Sequence, residues 1–168
     1  MTSLFPAFYY KSAYDIDYGA LYMSGRRGVI FDLDNTLVTH GAPCDARALE
    51  LMNRLKKLGF SICFLSNNKE ARVKEFNEPV GAQYIYKAGK PKKAGYLAAC
   101  EKMDVKPEET VFVGDQIFTD IAGANAAGIE SVLVHRIGFH EEIQIHFKRI
   151  AEAPIVLLFK IIHPKRVH

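Results

Sequence analysis

The chain alternates short apolar runs with longer segments whose apolar positions recur at helical spacing. Residues 29–31, 60–65, 110–113 and 131–134 read as buried strands, and 84–86 as a further short one. Between them, Ala48, Leu51, Met52, Leu55 and Leu58 follow the capping residue Asp45 at helical intervals, and Gly59 stops that helix. Residues 69–77 form a polar helical segment. Pro91 suits the first position of a helix whose stripe is Tyr96, Ala99, Cys100 and Met103. A small helix over 119–127 ends at Gly128, and 17–23 predicts a short helix closed near Gly25. Tyr9, Tyr10, Tyr14, Tyr18 and Tyr22 are expected to pack on the core. Strands alternating with helices predict an α/β fold, a parallel sheet with helices on both faces.

In such sheets ligands bind beyond the carboxyl ends of the strands. The unusual polar residues stand at those predicted ends: Asp32 and Asp34, then Ser66 and Asn67, then Asp115, with Lys90 at a helix start. Extended alternation places Asp32 and Asp34 on one side, a few ångströms apart, where like charges call for a cation between them. Such groups suit phosphoryl transfer. The carboxylates are hard oxygen ligands for Mg²⁺, and a carboxylate also serves as a nucleophile. A second carboxylate is suited to acid and base work, a hydroxyl and an ammonium to holding a phosphoryl group.

Composition narrows the partners. At 168 residues, 49% apolar and 24% charged, the chain matches an ordinary globular protein with one adequate core. A net charge of +3 is too mild to argue for nucleic acid. Cys44, Cys63 and Cys100 form no C-x-x-C pair, which favours a reducing, cytoplasmic setting over a disulfide framework. No signal-peptide pattern is visible, and no apolar run approaches the ~18 residues of a membrane span. Cys63 and Cys100 read as packing residues, Lys92 and Lys93 as a solvated helix start, and residues 123–128 as small-residue packing. Cys44 and His40 on their Gly-Pro loop are weak candidates for chemistry, His40 the better placed to touch a substrate. The remaining histidines lack metal-ligand spacing.

Asp32-Leu33-Asp34-Asn35-Thr36, the Ser66 strand end, Lys90-Pro91 and the run from Gly114-Asp115 to Thr119-Asp120 resemble, in order, motifs I to IV of the haloacid dehalogenase (HAD) superfamily. Further stretches, Tyr14-Asp15-Ile16-Asp17, His40-Gly41-Ala42-Pro43, Ser66-Asn67-Asn68-Lys69-Glu70 and Lys87-Ala88-Gly89-Lys90-Pro91, look like its YqeG-like subgroup in subfamily IIIA. That subgroup is similar to phosphatidylglycerophosphate phosphatases. The resemblance implies a three-layer, Rossmann-like fold and a phosphomonoester substrate. It implies Asp32 as nucleophile and Asp34 as general acid and base. Lys90, Ser66 and Asn67 would meet the phosphoryl group. Mg²⁺ would lie on Asp32, Asp115 and the main-chain carbonyl of Asp34, with Thr36 and Asp120 behind them.

Spacing adds that the fold is capless. About 32 residues separate Asp34 from Ser66 and about 24 separate Ser66 from Lys90, each used by one strand-helix unit. Residues 1–140 are expected to form the phosphatase domain and 141–168 a C-terminal helical tail. In that tail Ile143, Phe147 and Ile150 share one face, and a second helix follows Pro154. The tail packs on the sheet, on a second subunit as a homo-oligomer, or on the inner face of a membrane, since Lys160, Lys165 and Arg166 accompany its apolar run. The activity expected is Mg²⁺-dependent phosphomonoester hydrolysis through an aspartyl-phosphate, with phosphatidylglycerophosphate as the leading lipid phosphate. A soluble metabolite or nucleotide phosphatase and a non-catalytic partner-binding protein are the alternatives, and a receiver-type phosphoacceptor a lesser one.

Overall fold

The computed structural model describes residues 3–138 and 143–168, the side chains of 143–149 excepted. In chain order the elements are β1 (Phe8–Tyr10), α1 (Tyr18–Met23), β2 (Gly28–Phe31), α2 (Ala46–Leu58), β3 (Ser61–Leu65), α3 (Glu70–Asn77), β4 (Gln83–Ile85), α4 (Lys93–Met103), β5 (Thr110–Gly114), α5 (Ala122–Ala126), β6 (Glu130–Val134) and α6 (Ile143–Ile162). The strands form one six-stranded sheet, order β1-β6-β5-β2-β3-β4, with every pairing parallel.

β2 lies inside the sheet, and all four of its residues are buried, as a strand covered on both faces must be. Its alternate side chains feed two cores. Val29 and Phe31 meet Leu51, Met52 and Leu55 of α2 and Val73 and Phe76 of α3. Ile30 faces the other way, into a cluster with Phe112, Tyr96, Ala99 and Cys100. Helices therefore cover both faces of the sheet, which makes the expected three-layer α/β fold. At the N-terminus of α2 the Asp45 carboxylate accepts from the Ala48 amide at 2.7 Å. Gly59 closes the same helix with φ 97°, a left-handed conformation that glycine adopts without steric cost. One helix joins β2 to β3 and another joins β3 to β4; no further domain is inserted at either point.

The aromatic run Phe8–Tyr10, expected only to pack on the core, is also a strand, paired with β6 in the register Tyr9↔Leu133, and Tyr9 is buried. Three local expectations are corrected. Pro91 does not open α4, which starts at Lys93; Pro91 is joined to Lys90 by a cis peptide bond. The helix expected from 119 starts two residues earlier, as a π-helical turn over Ile117–Ile121 that runs into α5.

Finally, the two expected tail helices are one, with Pro154 inside it. Proline cannot donate to the Ile150 carbonyl, which by itself favours a break. Anchors on both sides of Pro154 hold the helix. The Glu152 carboxylate accepts from the Phe118 amide at 3.0 Å. Phe159 is buried among Tyr9, Ile117, Ile121 and Leu133. Of the face expected to carry Ile143, Phe147 and Ile150, only Ile150 has a described side chain, and it is 65% exposed. Glu141, where the tail helix was expected to begin, lies outside the described residues. Leu157, Leu158, Ile161 and Ile162 are exposed as well. Among the described residues no helix is long and apolar enough to cross a membrane. Past α6 the chain returns to the sheet, where Val167 bridges Tyr9 and the His168 amide donates to the Tyr9 carbonyl at 2.9 Å.

Candidate active site

Parallel register brings three strand ends together. Phe31 pairs with Phe64 on one side and with Val113 on the other. The residues just beyond, Asp32, Ser66 and Asp115, therefore leave neighbouring strands at the same edge. All three are buried.

The chain turns just beyond Asp34. The Asp32 amide still donates to the Val113 carbonyl at 3.0 Å, but Asn35 is left-handed at φ 65° and its amide turns back to the Val38 carbonyl. The Asp32 and Asp34 carboxylates meet different basic side chains. Asp32 accepts from the Lys90 ammonium at 2.6 Å. Asp34 accepts from the Gly41 amide at 2.9 Å, the Asn68 amide group at 2.5 Å and the Arg72 guanidinium at 2.8 Å.

Lys90 is held at both ends. Its ammonium also donates to Asp120 at 2.8 Å, while its main chain is clamped by the Asn67 side chain. Asn67 accepts from the Lys90 amide at 2.8 Å and donates to the Lys90 carbonyl at 3.3 Å. The Asn67 amide is thus committed to the lysine backbone, where a phosphoryl contact was expected. The second oxygen of Asp120 accepts from the Asp115 and Gln116 amides at 3.2 and 3.1 Å. A Cβ at Gly114 would lie 2.6 Å from that oxygen, so glycine is what permits the close approach. Thr36 donates to Asp115 at 3.3 Å, and the Ser66 hydroxyl accepts from the Asn68 amide at 3.1 Å.

One carboxylate oxygen from each of Asp32, Asp115 and Asp120 lies within 4.8 Å of the others. Asp120 is thus the third carboxylate of the cluster, beside the main-chain carbonyl expected from Asp34. The Asp34 side chain is turned away to Arg72, which leaves only its main chain for such a role. Three buried carboxylates gathered this closely suit a hard cation, which takes oxygen ligands. The donor set fits a metal ion.

Burial pushes the Asp32 carboxyl up to about 6, and the neighbouring Asp120 and Asp34 add to the rise against the pull of Lys90. For Lys90 burial acts against the charged form, but the Asp120 and Asp32 carboxylates outweigh it and hold its pKa above the usual range. Asp32, Asp34, Ser66 and Lys90 line a cleft of about 240 Å³ whose wall also carries His40, Gln116 and Thr119. Cys44 is not part of that wall, and burial followed by Asp45 raises its thiol pKa, away from thiolate chemistry.

Two residues of this arrangement had no assigned role in the sequence, Asn68 and Arg72. The available signal was slight: Arg72 stands one turn before Phe76, placing its charge on a buried helix face, 5.8 Å from the ring centroid.

Residues 45–128 match the family described as haloacid dehalogenase-like hydrolase. The chain is 38% identical over 135 residues to the probable phosphatase YqeG of Bacillus subtilis, covering 80% of this chain and 78% of that protein. A HAD-superfamily hydrolase from Ehrlichia chaffeensis superposes with a TM-score of 0.54 at 18% identity, over 73% of this chain and 96% of that one. The cobalt-bound deoxy-D-mannose-octulosonate 8-phosphate phosphatase of Haemophilus influenzae gives 0.53 at 15% identity, over 67% and 70%. At such identities the two structures speak for the fold alone.

Proposed function

Because this chain belongs to the haloacid dehalogenase-like hydrolases, and within them to the phosphatases, we propose that it hydrolyses phosphomonoesters with Asp32 as the nucleophile. The observation that carries this reading is the buried Asp32–Lys90–Asp120 chain, whose Asp32 and Lys90 line the cleft. A carboxylate oxygen of Asp32 attacks phosphorus, the bond to the leaving oxygen breaks, and Asp34 passes a proton to that oxygen. Water then attacks the aspartyl-phosphate, Asp34 takes its proton, and phosphate leaves. Ser66 and Lys90 bind the phosphoryl oxygens, with Lys90 held in place by Asn67 and Asp120. Mg²⁺ on Asp32, Asp115 and the Asp34 carbonyl would neutralise the charge on those oxygens.

The proposed substrate class is a phosphate on a lipid, with phosphatidylglycerophosphate as the first to test and the inner membrane face as the place of work. Two features support it. The outer face of α6 presents Ile150, Leu157, Leu158, Ile161 and Ile162, and residues 153–168 contain Lys160, Lys165 and Arg166 with no acid. A second cleft, about 450 Å³, runs from Asp115 along Val156, Leu157 and Lys160 of the same helix. Residues 141–168 would then be an interfacial tail on a domain of residues 1–140. Phosphate release from phosphatidylglycerophosphate vesicles, run beside soluble phosphomonoesters with and without Mg²⁺, tests the reading. Mg²⁺-dependent release that is fastest from the vesicles is expected; release confined to soluble esters would remove the lipid substrate.

The metal assignment has a separate readout in stability. Asp32 binds its proton more tightly in the fold (about 6) than at its ordinary value of 3.8. Its contribution to metal-free stability is therefore full below pH 4 and is lost as pH rises through 6. A cation binds the deprotonated carboxylate, so apparent affinity rises with pH up to about 6 and levels off above. The rise in melting temperature on adding Mg²⁺ is expected to be small at pH 5 and large at pH 7. An equal rise at both pH values would count against Asp32 as a ligand.

A further inference from the structure

We infer that Arg72 is a positioning residue for the second half of the reaction, holding the Asp34 carboxylate in place to take a proton from water. The inference rests on the acid and base role proposed for Asp34. Three donors converge on that carboxylate, and they come from different parts of the chain. The Gly41 amide and the Arg72 guanidinium share one oxygen, at 2.9 and 2.8 Å; the Asn68 side chain takes the other at 2.5 Å. Arg72 is the one cation among them. It is anchored in the first turn of α3, and its side chain is 14% exposed against 10% for that of Asp34. Shelter from water makes the charge-assisted bond stronger and more directional than a surface pair. Lys90 faces Asp32 and Asp120, so the two motif aspartates are served by two separate cations.

The division matters for the order of events. Three donors on its two oxygens fix the orientation of the Asp34 carboxylate, and a general base must be held within reach of the proton it takes. In the hydrolytic step the water oxygen bonds to phosphorus and its proton goes to an Asp34 oxygen. The bond from phosphorus to Asp32 then breaks, which restores both carboxylates when Asp34 releases the proton. An Asp34 free to rotate away would slow that step. It would matter much less for phosphorylation by an ester whose leaving group needs no proton.

The test uses p-nitrophenyl phosphate, a good leaving group, with wild type, Arg72→Met, Arg72→Lys and Asp34→Asn in rapid-mixing experiments. Arg72→Met is expected to release a burst of nitrophenol close to one equivalent, within about threefold of the wild-type burst rate. Steady turnover should then fall by about 10²-fold, a typical loss for a displaced general base. Protein-bound phosphate should accumulate, and Arg72→Lys should recover part of the turnover. A burst and a turnover that fall together, without bound phosphate, would assign Arg72 a merely structural role and overturn the inference. Asp34→Asn separates the two levels. If it accumulates bound phosphate and Arg72→Met does not, only Arg72 is misassigned. If neither does, the base role of Asp34 falls too.

Discussion

Asp32→Asn is expected to lower turnover by about 10⁴-fold or more, the scale seen when a covalent nucleophile is removed. Asparagine keeps the shape of the side chain and can still accept from Lys90, while its amide is no nucleophile toward phosphorus. The fold should survive, because Lys90 keeps its 2.8 Å bond to Asp120 and loses just one of two anionic partners. Phosphate release measured beside the melting temperature checks both parts. Turnover within tenfold of wild type would show that the phosphoryl group is never carried by Asp32.

Lys90→Met tests the same centre from the other sign of charge. Removing the ammonium leaves Asp32, Asp115 and Asp120 buried with oxygens within 4.8 Å of one another. Breaking a buried ion pair by deleting one partner typically costs about 3–5 kcal/mol. For a chain of this size that corresponds to a melting temperature lower by roughly 10 °C. Mg²⁺ is expected to raise the melting temperature of the variant by more than it raises that of wild type, since Asp32 and Asp120 have then lost the ammonium they share. Catalysis should not return with it, because the phosphoryl group would lack its ammonium. A variant that melts with wild type in the absence of metal would mean that the three acids are not the charged cluster that their burial implies.

The legible part of the fold was the part in which each residue answers to its neighbours in sequence. β2, α2, β3 and β5 stand where period and capping placed them, because Asp45 and Gly59 act within one turn and the strands are apolar throughout. Strand ends then located Asp32, Ser66 and Asp115 together, since a parallel register aligns them. What stayed hidden depends on distant partners. Asp34 lines the same cleft as Asp32, but its side-chain partners Asn68 and Arg72 come from a distant segment that its own neighbours in sequence do not announce. Arg72 acquires meaning only from Asp34, 38 positions earlier. The strand Phe8–Tyr10 is three residues long and is made by β6 at the far end of the chain. Pro154 obeys its local rule as far as chemistry allows, yet Glu152 and Phe159 keep α6 continuous by tertiary contact.

The return of Val167 to Tyr9 has a consequence for how the molecule behaves among its own copies. A parallel sheet with a bare outer strand offers a row of unsatisfied amides and carbonyls to any other extended chain. On the β1 side, Val167 and His168 cover part of that row, and the His168 ring stacks on Tyr10 with centroids 4.7 Å apart. The opposite margin, β4, is three residues long. Both rims are thus too short or too occupied to template a neighbour, so a concentrated solution is guarded against growth by strand addition.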